Sequence, residues 1–321
     1  MRILRSVPAI AGAPIALTIG NFDGVHLGHQ AMLARLSETA RREGLPACAM
    51  TFEPHPREFF APDRAPVRLT SLREKLELLA EAGMERTYVF RFDYRFAQVA
   101  AGEFIERVLV QGLGVRYLLV GDDFRFGARR GGDFALLRQD AQRFGYRVES
   151  MSSVMVESGR VSSTAVREAL ADGDLERASR LLGRSYSIRG RVVRGDGLGR
   201  KLGWPTANVQ IKHNRPPLTG IFAVEVRGVG DRALPGVASL GVRPTVKLNA
   251  EPVLEVHLFD FSGDLYGRHL RVDFLHKFRD EEKFADLDAL TRRIAADVAD
   301  ARAYFAQREA ASQRQSGSRA S

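Results

Sequence analysis

Two histidines three residues apart stand near the start of the chain, in the segment Ile19-Gly-Asn-Phe-Asp-Gly-Val-His-Leu-Gly-His29. A strand that ends before Gly20, followed by a helix that begins near Gly28, would point backbone N–H groups and the positive end of a helix at this turn. His26 and His29 would then lie on one face of the helix, where their imidazoles can donate further hydrogen bonds to phosphate oxygens. The pattern predicts nucleotidyl transfer, with these groups stabilising charge on the α-phosphate and the departing pyrophosphate.

Two other interpretations of the histidine pair stay open. The imidazoles can be surface groups at a helix cap, or they can be metal ligands. The metal interpretation is the weaker one, because no third His or Cys lies close by in the sequence.

Three further segments would place functional groups after other predicted strands. Pro54 and Pro56 stiffen the loop around His55, and residues 121–127, Gly-Asp-Asp-Phe-Arg-Phe-Gly, put a carboxylate beside two aromatic rings. Residues 162–167, Ser-Ser-Thr-Ala-Val-Arg, open a helix and combine hydroxyls with a guanidinium, which suits both a helix cap and a triphosphate. Each segment alone also fits a proline turn, a glycine-flanked loop or an N-cap, but four such loops at successive strand ends favour one binding crevice.

A second group of chemically useful residues begins at Arg194-Gly-Asp-Gly-Leu-Gly-Arg-Lys-Leu-Gly203, which holds four glycines and three cations. The segment lacks the Lys-Ser/Thr end of a P-loop and no helix is predicted after it, so we expect a flexible flap whose backbone amides hold an anion. Thr206 and Asn208 follow on an extended segment and project to the same side. Their oxygens suit a magnesium ion that bridges nucleotide phosphates.

Glu255 is a charged residue within the apolar, strand-like run 253–259. Facing inward, it is a candidate base for a substrate hydroxyl. The alternatives for this part of the chain are structural: a hairpin with glycine turns, a Pro-Thr bend and a glutamate at the rim of a barrel.

The hydrophobic pattern predicts the elements that position these groups. Short apolar runs at 15–19, 47–52, 87–90 and 117–120 predict buried strands, and amphipathic stretches at 28–43, 71–82, 100–110 and 133–144 predict helices. Strands that alternate with helices predict a parallel sheet with right-handed crossovers.

Beyond about residue 183 the helical period is lost. Apolar runs at 186–193, 221–226, 236–240, 253–259 and 270–274 predict a small antiparallel barrel, and an apolar stripe over 281–307 predicts a final helix. We therefore expect a first domain at 1–183, a barrel domain at 184–309 and a disordered tail at 310–321.

The composition excludes several classes of protein. A chain of 321 residues that is 45% hydrophobic and 27% charged is long enough for two cores and too apolar to be disordered. One cysteine, Cys48, excludes a disulfide framework, and no apolar run approaches the length of about 18 residues that a membrane span needs. The net charge of +9 is spread along the chain, so neither a nucleic-acid nor a membrane partner is expected. We expect a cytoplasmic protein, because a lone cysteine fits a reducing compartment.

Taken in order, the N-terminal segments resemble the adenylyltransferase module of the bacterial bifunctional riboflavin kinase/FAD synthetases, a branch of the nucleotidyltransferases with an H-x-G-H motif. The resemblance implies an α/β Rossmann-like domain. It implies that ATP is bound by Gly20, Asn21, Phe22, Gly28, Ser163 and Thr164, and that the catalytic groups at its phosphates are His26, His29 and Arg167. It also implies that the flavin is bound by Phe52, His55, Pro56, Phe60 and Asp123.

The second half resembles the riboflavin kinase module of the same family in the order and spacing of its segments. These are Pro205-Thr-Ala-Asn208, Glu255-Val-His-Leu-Phe-Asp260, Gly263-Asp-Leu-Tyr-Gly267 and Arg279-Asp-Glu-Glu-Lys-Phe284. The resemblance assigns magnesium to Thr206 and Asn208, activation of the ribityl hydroxyl to Glu255, ATP to Gly195, Gly199 and Lys201, and the flavin to Arg279. Two departures are Ser239-Leu-Gly241, where Asn-Ile-Gly is common, and Phe278, where Leu is usual.

The resemblance implies a two-domain transferase with ATP as co-substrate and magnesium as cofactor. The barrel would phosphorylate riboflavin to FMN, and the N-terminal domain would join FMN to AMP, giving FAD and pyrophosphate. Its partners would be these small molecules, and flavin-accepting apoproteins are allowed. Two rival hypotheses are a nucleotidyltransferase for another cofactor with a regulatory barrel, and a non-enzymatic basic protein that binds flavin or RNA.

Overall fold

The structure is a computed structural model, and it describes residues 1–8, 10–157, 159–195, 197–211, 215–242 and 252–317. The chain divides into two compact units. The first comprises Met1–Pro66 and Thr70–Ser163, and the second comprises Val67–Leu69 and Thr164–Ser321. The residues that follow Ser163 thus group with the barrel, and the predicted domain boundary at residue 183 stays a prediction.

A parallel six-stranded sheet forms the centre of the first unit. Its strands are β1 (Arg2–Leu4), β2 (Ile15–Ile19), β3 (Ala47–Glu53), β4 (Arg86–Arg91), β5 (Val115–Gly121) and β6 (Arg147–Met151), in the spatial order β1-β4-β3-β2-β5-β6. All neighbouring strands in it run parallel. The order of strands reverses between β2 and β5, and parallel sheets bind their ligands at the carboxyl edge beside such a point.

Two apolar cores cover the two faces of this sheet. Ile15 and Leu17 of β2 belong to one core, whereas Ala16 of β2 and Ala49 of β3 belong to the other. Successive side chains of a strand point to opposite faces, so a strand buried on both faces reads as an unbroken apolar run.

Helices and short turns connect these strands. The helices are α1 (Leu27–Glu43), α2 (Pro56–Phe60), α3 (Leu72–Glu81), α4 (Tyr94–Ala97), α5 (Ala101–Glu103), which continues as a π-helical stretch at Phe104–Gly112, and α6 (Phe134–Phe144). Two 3-10 turns lie at Pro62–Arg64 and Ala128–Arg130, and a small hairpin is formed by β7 (Met155–Val156) and β8 (Gly159–Arg160).

The ends of the main helices follow from local sequence. Ser71 and Glu74 form a capping box at the start of α3, and Asp133 caps the start of α6. Helix α1 ends at Gly44, whose φ of 66° is the left-handed conformation that terminates helices.

A closed antiparallel barrel forms most of the second unit. Helices α7 (Ser163–Ala171) and α8 (Leu175–Leu182) precede it, and α9 (Leu198–Lys201) and α10 (Leu287–Gly317) lie between and after its strands. The strands are β9 (Ser187–Val193), β10 (Ala207–Val209), β11 (Gly220–Arg227), β12 (Leu234–Val242), β13 (Pro252–Leu258) and β14 (His269–Arg279), closed in the order β10-β13-β12-β11-β14-β9.

The barrel has an apolar interior and, on one side, a covered outer face. Leu254 and Val256 of β13 are buried in the interior. On the outer face, Ile221 and Val237 pack with Val298 of α10 in a separate apolar cluster. Helix α10 thus covers the outer surface of strands β11 and β12.

The predicted fold class is confirmed, and so are the main strands and helices of both halves. Strands β1, β6 and β10 were not predicted, because β1 and β10 have three residues each and β6 is a half-exposed edge strand. Within the described residues, no helix is both long enough and apolar enough to cross a membrane.

Two predictions about the C-terminal end need correction. Helix α10 begins at Leu287 rather than at residue 281, because Asp286 caps it by accepting a hydrogen bond from the backbone N–H of Ala289 (2.7 Å). The helix continues to Gly317, so residues 310–317 of the predicted tail are helical, and residues 318–321 lie outside the described ranges. The extension contains Ala, Gln and Arg, which favour helix.

Candidate active sites

The loop between β2 and α1 is fixed by hydrogen bonds from other parts of the first unit. Asp23 is buried, and its Oδ1 accepts hydrogen bonds from the backbone N–H (3.0 Å) and the hydroxyl (3.1 Å) of Thr70. The Asp23 carbonyl accepts a hydrogen bond from Oγ of Ser163 (2.9 Å), and the Asn21 carbonyl accepts one from Oγ1 of Thr51 (3.2 Å). The loop that leads into α1 is therefore held in place before any ligand binds.

Two non-glycine residues of this loop have left-handed backbone conformations. Phe22 has a φ of 49° and Val25 a φ of 39°, and both side chains are buried. Such a conformation costs about 1–3 kcal/mol per residue, so the surrounding contacts must hold it. Gly20 leaves room for the Phe22 ring, since a Cβ on Gly20 would lie 3.1 Å from that ring.

The predicted histidine pair is brought together on the first turn of α1. The rings of His26 and His29 stack with centroids 3.7 Å apart and planes 16° from parallel. His26 is the N-cap, and its Nδ1 accepts a hydrogen bond from the backbone N–H of His29 (3.3 Å). Gly28 makes room for this arrangement, because a Cβ there would lie 3.2 Å from the His26 ring. The helix-cap interpretation therefore holds for His26, although its side chain is buried and not a surface group.

The chemistry of His29 is set by its surroundings. Burial is the main cause that lowers the pKa of His29 well below its ordinary value, and the nearby His26 and Lys75 lower this pKa further. The ring is therefore neutral at pH 7 and can donate one hydrogen bond and accept another. Its Nδ1 is buried and, in the described part of the chain, has no hydrogen-bond partner.

The metal-ligand interpretation of the histidine pair gains no support, and the single cysteine is not a reactive group. In the ranges that the structure describes, no group of three or more His, Cys, Asp or Glu side chains could hold a metal ion. Cys48 is buried in β3, and burial raises the pKa of its thiol to about 12. A thiol with that pKa is not a nucleophile at neutral pH.

Two of the predicted flavin residues lie in a cluster of aromatic side chains at the carboxyl edge of the sheet. Phe52 packs against Phe92 and Phe96, with ring centroids 5.9 and 5.6 Å away. Phe60 is 67% exposed and lies 5.6 Å from Phe92. Partly exposed rings of this kind offer a surface on which a planar ring system can pack. Sequence reasoning missed Phe92 and Phe96, although their position directly after β4 was an available signal.

His55 and Pro56 stand at the start of α2. Pro56 takes the first helical position, and Nδ1 of His55 accepts a hydrogen bond from the backbone N–H of Arg57 (3.1 Å). Glu58 completes the capping box by accepting a hydrogen bond from the backbone N–H of His55 (3.2 Å). The structure assigns these residues a capping role, and their contact with flavin stays a prediction.

Asp123 follows β5 at the same edge of the sheet. Its Oδ2 forms an ion pair with Nη2 of Arg160 at 2.6 Å, and both side chains are about half exposed or more. An exposed ion pair contributes less than about 1 kcal/mol, so a ligand can compete for Asp123 at small cost. Flavin binding by Asp123 stays a prediction.

The remaining predicted phosphate ligands lie on α7. Ser163 begins this helix and donates its hydrogen bond to Asp23 within the first unit, and Thr164 is exposed. Arg167 belongs to the second unit, where its Nε donates to the carbonyl of Val67 (2.5 Å). Phosphate binding by these residues stays a prediction.

In the barrel, the strand register places several predicted residues in one row. Asn208 of β10 pairs with Glu255 of β13, and Glu255 pairs with Ser239 of β12. The row continues through Ile221 of β11 to Arg279 of β14. Neighbouring strands lie about 4.8 Å apart and paired residues share a face, so the side chains of Asn208 and Glu255 are direct neighbours.

Glu255 lies on the outer face of the barrel, which corrects the prediction that it faces inward. Leu254 and Val256 on either side of it are buried in the interior, at 0% and 1% exposed. Alternation along the strand then turns Glu255 outward, toward the face that α10 covers. Both faces of β13 are covered, so its sequence is apolar throughout and does not indicate which face Glu255 occupies.

A cavity of about 540 Å³ lies between this outer face and α10. Its walls include Thr206, Glu255 and Arg279 from the barrel side and Leu290 and Ile294 from α10. An apolar cavity with a few polar groups is typical of a small-molecule site.

A second cavity, of about 420 Å³, is lined by Thr206 together with Arg200, Pro205, Asp264 and Tyr266. Thr206 belongs to the walls of both cavities. The two cavities therefore meet at one of the two predicted magnesium ligands.

Two glycines of the predicted flap lie against the predicted magnesium ligands. A Cβ on Gly195 would lie 2.6 Å from Oδ1 of Asn208, and a Cβ on Gly199 would lie 3.1 Å from Oγ1 of Thr206. Larger residues would collide there, so both glycines are required by close approach. The flap is not a loop throughout, because α9 occupies its centre and ends at the exposed Lys201; Asp196 lies outside the described residues.

Arg279 reaches the first cavity, but its guanidinium is already bound. Its Nε and Nη2 donate to the two carboxylate oxygens of Asp297 on α10 (2.9 and 2.7 Å), and its Nη1 donates to the carbonyl of Asp280 (2.9 Å). The hydrogen bond to Asp297, which is itself buried, is the main cause that raises the pKa of Arg279. Arg279 thus anchors α10 beside the cavity, and its direct contact with flavin stays a prediction.

Three other residues that line this cavity were not predicted from the sequence to be site residues. Ser239, one of the two departures from the family pattern, donates a hydrogen bond from Oγ to Oε1 of Glu281 (2.9 Å). Ser239, Glu281 and Asp297 all line the cavity. The place of each residue in the cavity depends on a partner from another element, so no local sequence pattern identifies it as a site residue.

The donors around Thr206 fit magnesium that arrives with a nucleotide. A hydroxyl and an amide oxygen stand on the same face of an extended segment, with the carboxylate of Glu255 next to Asn208. Magnesium prefers oxygen ligands and usually combines one or two protein groups with phosphate oxygens and water.

Two protein-family models match the chain. The model for FAD synthetase matches residues 11–165, and the model for riboflavin kinase matches residues 182–305. Together they cover most of the chain, with one model on the parallel sheet and the other on the barrel.

Similar proteins cover nearly the whole chain. The bifunctional riboflavin kinase/FMN adenylyltransferase of Escherichia coli strain K12 is 50% identical over 308 residues, which is 95% of this chain and 98% of that protein. The protein of the same name from Pseudomonas fluorescens is 52% identical over 289 residues, which is 90% of this chain and 92% of that protein. A crystal structure of a macrolide-efflux protein from Streptococcus pneumoniae has the same overall fold, with a TM-score of 0.78 and 29% identity over 92% of this chain and 97% of that chain.

Proposed function

The chain belongs to the family of bifunctional riboflavin kinase/FMN adenylyltransferases, and on that premise we propose that it makes FAD from riboflavin in two steps. The barrel transfers the γ-phosphoryl group of ATP to riboflavin and produces FMN. The first unit then joins FMN to the AMP part of another ATP and releases pyrophosphate. We place both reactions in the cytoplasm, where flavin-accepting apoproteins take up the products.

In the kinase step, Glu255 accepts the proton of the ribityl hydroxyl as that oxygen attacks the γ-phosphorus. Thr206 and Asn208 would hold magnesium, which would neutralise charge on the phosphates. The apolar cavity under α10 takes the flavin ring, and the smaller cavity beside Tyr266 takes the nucleotide. The observation that carries this assignment is the register that sets Glu255 directly beside Asn208, on the face where the two cavities meet at Thr206.

In the adenylylation step the attacking phosphate of FMN is already ionised, so no strong base is needed. The neutral ring of His29 and the capping ring of His26 stabilise the charge that develops on the α-phosphate and the leaving pyrophosphate. Ser163 lies at the same loop through its bond to Asp23. Thr164 and Arg167 are assigned to the ATP phosphates from the sequence motif alone. Phe52, Phe60 and their aromatic neighbours provide the surface for the flavin ring.

The test is to incubate the purified protein with riboflavin, ATP and magnesium and to separate riboflavin, FMN and FAD by chromatography. We expect FMN and then FAD, and neither product when EDTA replaces magnesium. FAD from supplied FMN without any FMN from riboflavin would contradict the kinase assignment and favour a regulatory barrel. FMN without FAD would contradict the adenylyltransferase assignment.

A further inference from the structure

His257 lies beside the kinase residues without belonging to the groups that touch the reacting atoms. It is two residues after Glu255 on β13, so both side chains project from the outer face of the barrel. It lines the same cavity as Glu255 and Thr206. The ladder between β10 and β13 pairs Ala207 with Val256, which places His257 at the level where the chain enters β10.

The ring of His257 is bonded to the backbone of the segment that carries Thr206. Its Nδ1 lies 2.9 Å from the carbonyl oxygen of Pro205. A carbonyl oxygen can only accept, so Nδ1 carries the proton and donates this bond. Pro205 has no N–H of its own, so this carbonyl is the one backbone group with which Pro205 can be held.

The bond lies where the strand ladder stops supporting the chain. Strand β10 begins at Ala207, so Thr206 stands just outside the residues that the ladder fixes. A side-chain bond to the carbonyl of Pro205 restrains the peptide unit that leads directly into Thr206. Metal ligands in proteins are commonly oriented by hydrogen bonds from neighbouring groups. The bond from His257 would orient the Thr206 hydroxyl toward a phosphate-bound cation in the same way.

We propose that His257 is a positioning residue for the kinase reaction: its Nδ1–H bond to the Pro205 carbonyl holds Thr206 where its hydroxyl meets magnesium-loaded ATP. This inference rests on the proposed kinase activity. It predicts that losing the Nδ1–H donor weakens nucleotide binding more than riboflavin binding, although His257 also lines the cavity that we assign to the flavin ring.

The competing explanation is simple packing. The His257 ring also contacts Trp204 and Phe259 edge to face, with centroids 5.5 and 5.9 Å away. A packing role requires the bulk of the side chain, whereas the positioning role requires the donor. Asn and Leu have nearly the same shape, and the Asn amide nitrogen occupies the place of Nδ1. His257→Asn therefore keeps the donor, and His257→Leu removes it.

The experiment measures both variants as full-length proteins. We expect His257→Leu to raise the KM for Mg-ATP and to weaken binding of the magnesium complex of a non-hydrolysable ATP analogue, measured by calorimetry, on the order of 10–100-fold. The KM for riboflavin should change less than the KM for Mg-ATP, because His257 is only one part of the wall of the flavin cavity. His257→Asn should recover most of the loss. FAD synthesis from supplied FMN should be normal in both variants, because that reaction uses the other unit and reports that the protein is folded.

A spectroscopic readout tests the bond itself. In the 15N spectrum of the wild-type protein, the His257 signals, assigned by their absence from the His257→Asn protein, should show a protonated Nδ1. An unprotonated Nδ1 would overturn the proposal, and so would equal losses in the Asn and Leu variants or a Leu variant that binds nucleotide normally. A wild-type protein that forms no FMN would overturn the proposed function instead, and this inference with it.

Discussion

Glu255 and His29 show how the surroundings of single residues define their chemistry. Glu255 owes its position to a strand register that turns it away from the barrel interior and sets it beside Asn208. His29 owes its neutral state to burial and to the neighbouring His26 and Lys75. Neither residue type is unusual, and the roles that we propose for them, proton acceptor and stabiliser of phosphate charge, depend on this placement.

Replacing Glu255 by Gln keeps the shape of the side chain and removes its ability to take a proton. We expect FMN formation from riboflavin to fall about 10²–10³-fold, because the ribityl hydroxyl loses its base. FAD formation from supplied FMN should remain at the wild-type rate. Steady-state rates of both reactions on the same preparation measure this, and a parallel loss of both would contradict two separate sites.

The lowered pKa of His29 predicts a pH-dependent contribution to stability. Below about pH 6.5 the ring takes up a proton in the unfolded chain but not in the folded one, so acid favours unfolding. Stability should therefore fall as pH drops through that range, by up to about 1.4 kcal/mol per pH unit from this group alone.

The comparison variant is His29→Gln, which cannot titrate. Denaturant unfolding at pH 7.5 and pH 5.5 should show a smaller acid-induced loss for the variant than for the wild-type chain, while the other ionisable groups contribute equally to both. An identical loss in the two proteins would show that His29 is not held neutral.

Two elements of the barrel unit, the flap before β10 and helix α10, line the cavity of the proposed kinase site. Helix α10 closes the larger cavity and is tied to the barrel by the buried ion pair of Asp297 with Arg279. Removing one partner would leave a buried charge unpaired, which is far more costly than losing a surface pair. The flap is defined by glycines that permit contact with Asn208 and Thr206.

The substitution Gly195→Ala tests the close approach of the flap. Its Cβ would collide with the Asn208 side chain, so Asn208 must shift away from its place beside Glu255. We expect kinase activity to fall about 10–100-fold, the range found when groups that orient metal ligands are changed. The matched control is Gly230→Ala in the same unit, where a Cβ would meet nothing within 4 Å. Equal activity in the two variants would contradict the role of the flap.

At the scale of the molecule, the two activities belong to two compact units with separate cores. The match to the FAD synthetase model ends at residue 165, near the change of unit at Ser163, and the match to the riboflavin kinase model begins at residue 182. Residues 164–181 therefore group with the barrel in space, and nearly all of them fall outside both family models. This division makes each unit responsible for one reaction.

Mixing two single variants tests that division. We expect His29→Ala to convert riboflavin to FMN without making FAD, and Glu255→Gln to make FAD only from supplied FMN. An equimolar mixture should convert riboflavin to FAD, because FMN released by one variant is adenylylated by the other. Chromatography of the products measures this, with each variant alone as the control; a mixture that accumulates FMN without FAD would contradict independent sites.

Much of the fold was predictable because hydrophobic periodicity is a local property. Strand β2 was predicted with its observed bounds, and helices α1, α3 and α6 within a residue or two at each end. Strands β1 and β10 were not predicted because three residues are too few to show a hydrophobic period. The start of α10 was predicted too early because the apolar stripe continues past the cap at Asp286. Asp297 was missed because its partner, Arg279, lies on another element.

The sequence by itself determined the order of the two modules and the residue types that they use, since those are properties of short motifs. Only the tertiary structure decided which face of the barrel Glu255 occupies. It also decided that the Arg279 guanidinium bonds to Asp297 and that the His257 ring bonds to the carbonyl of Pro205. The physical reason is that strand register, burial and hydrogen-bond partners join residues far apart in the chain. Spacing along the sequence carries no information about them.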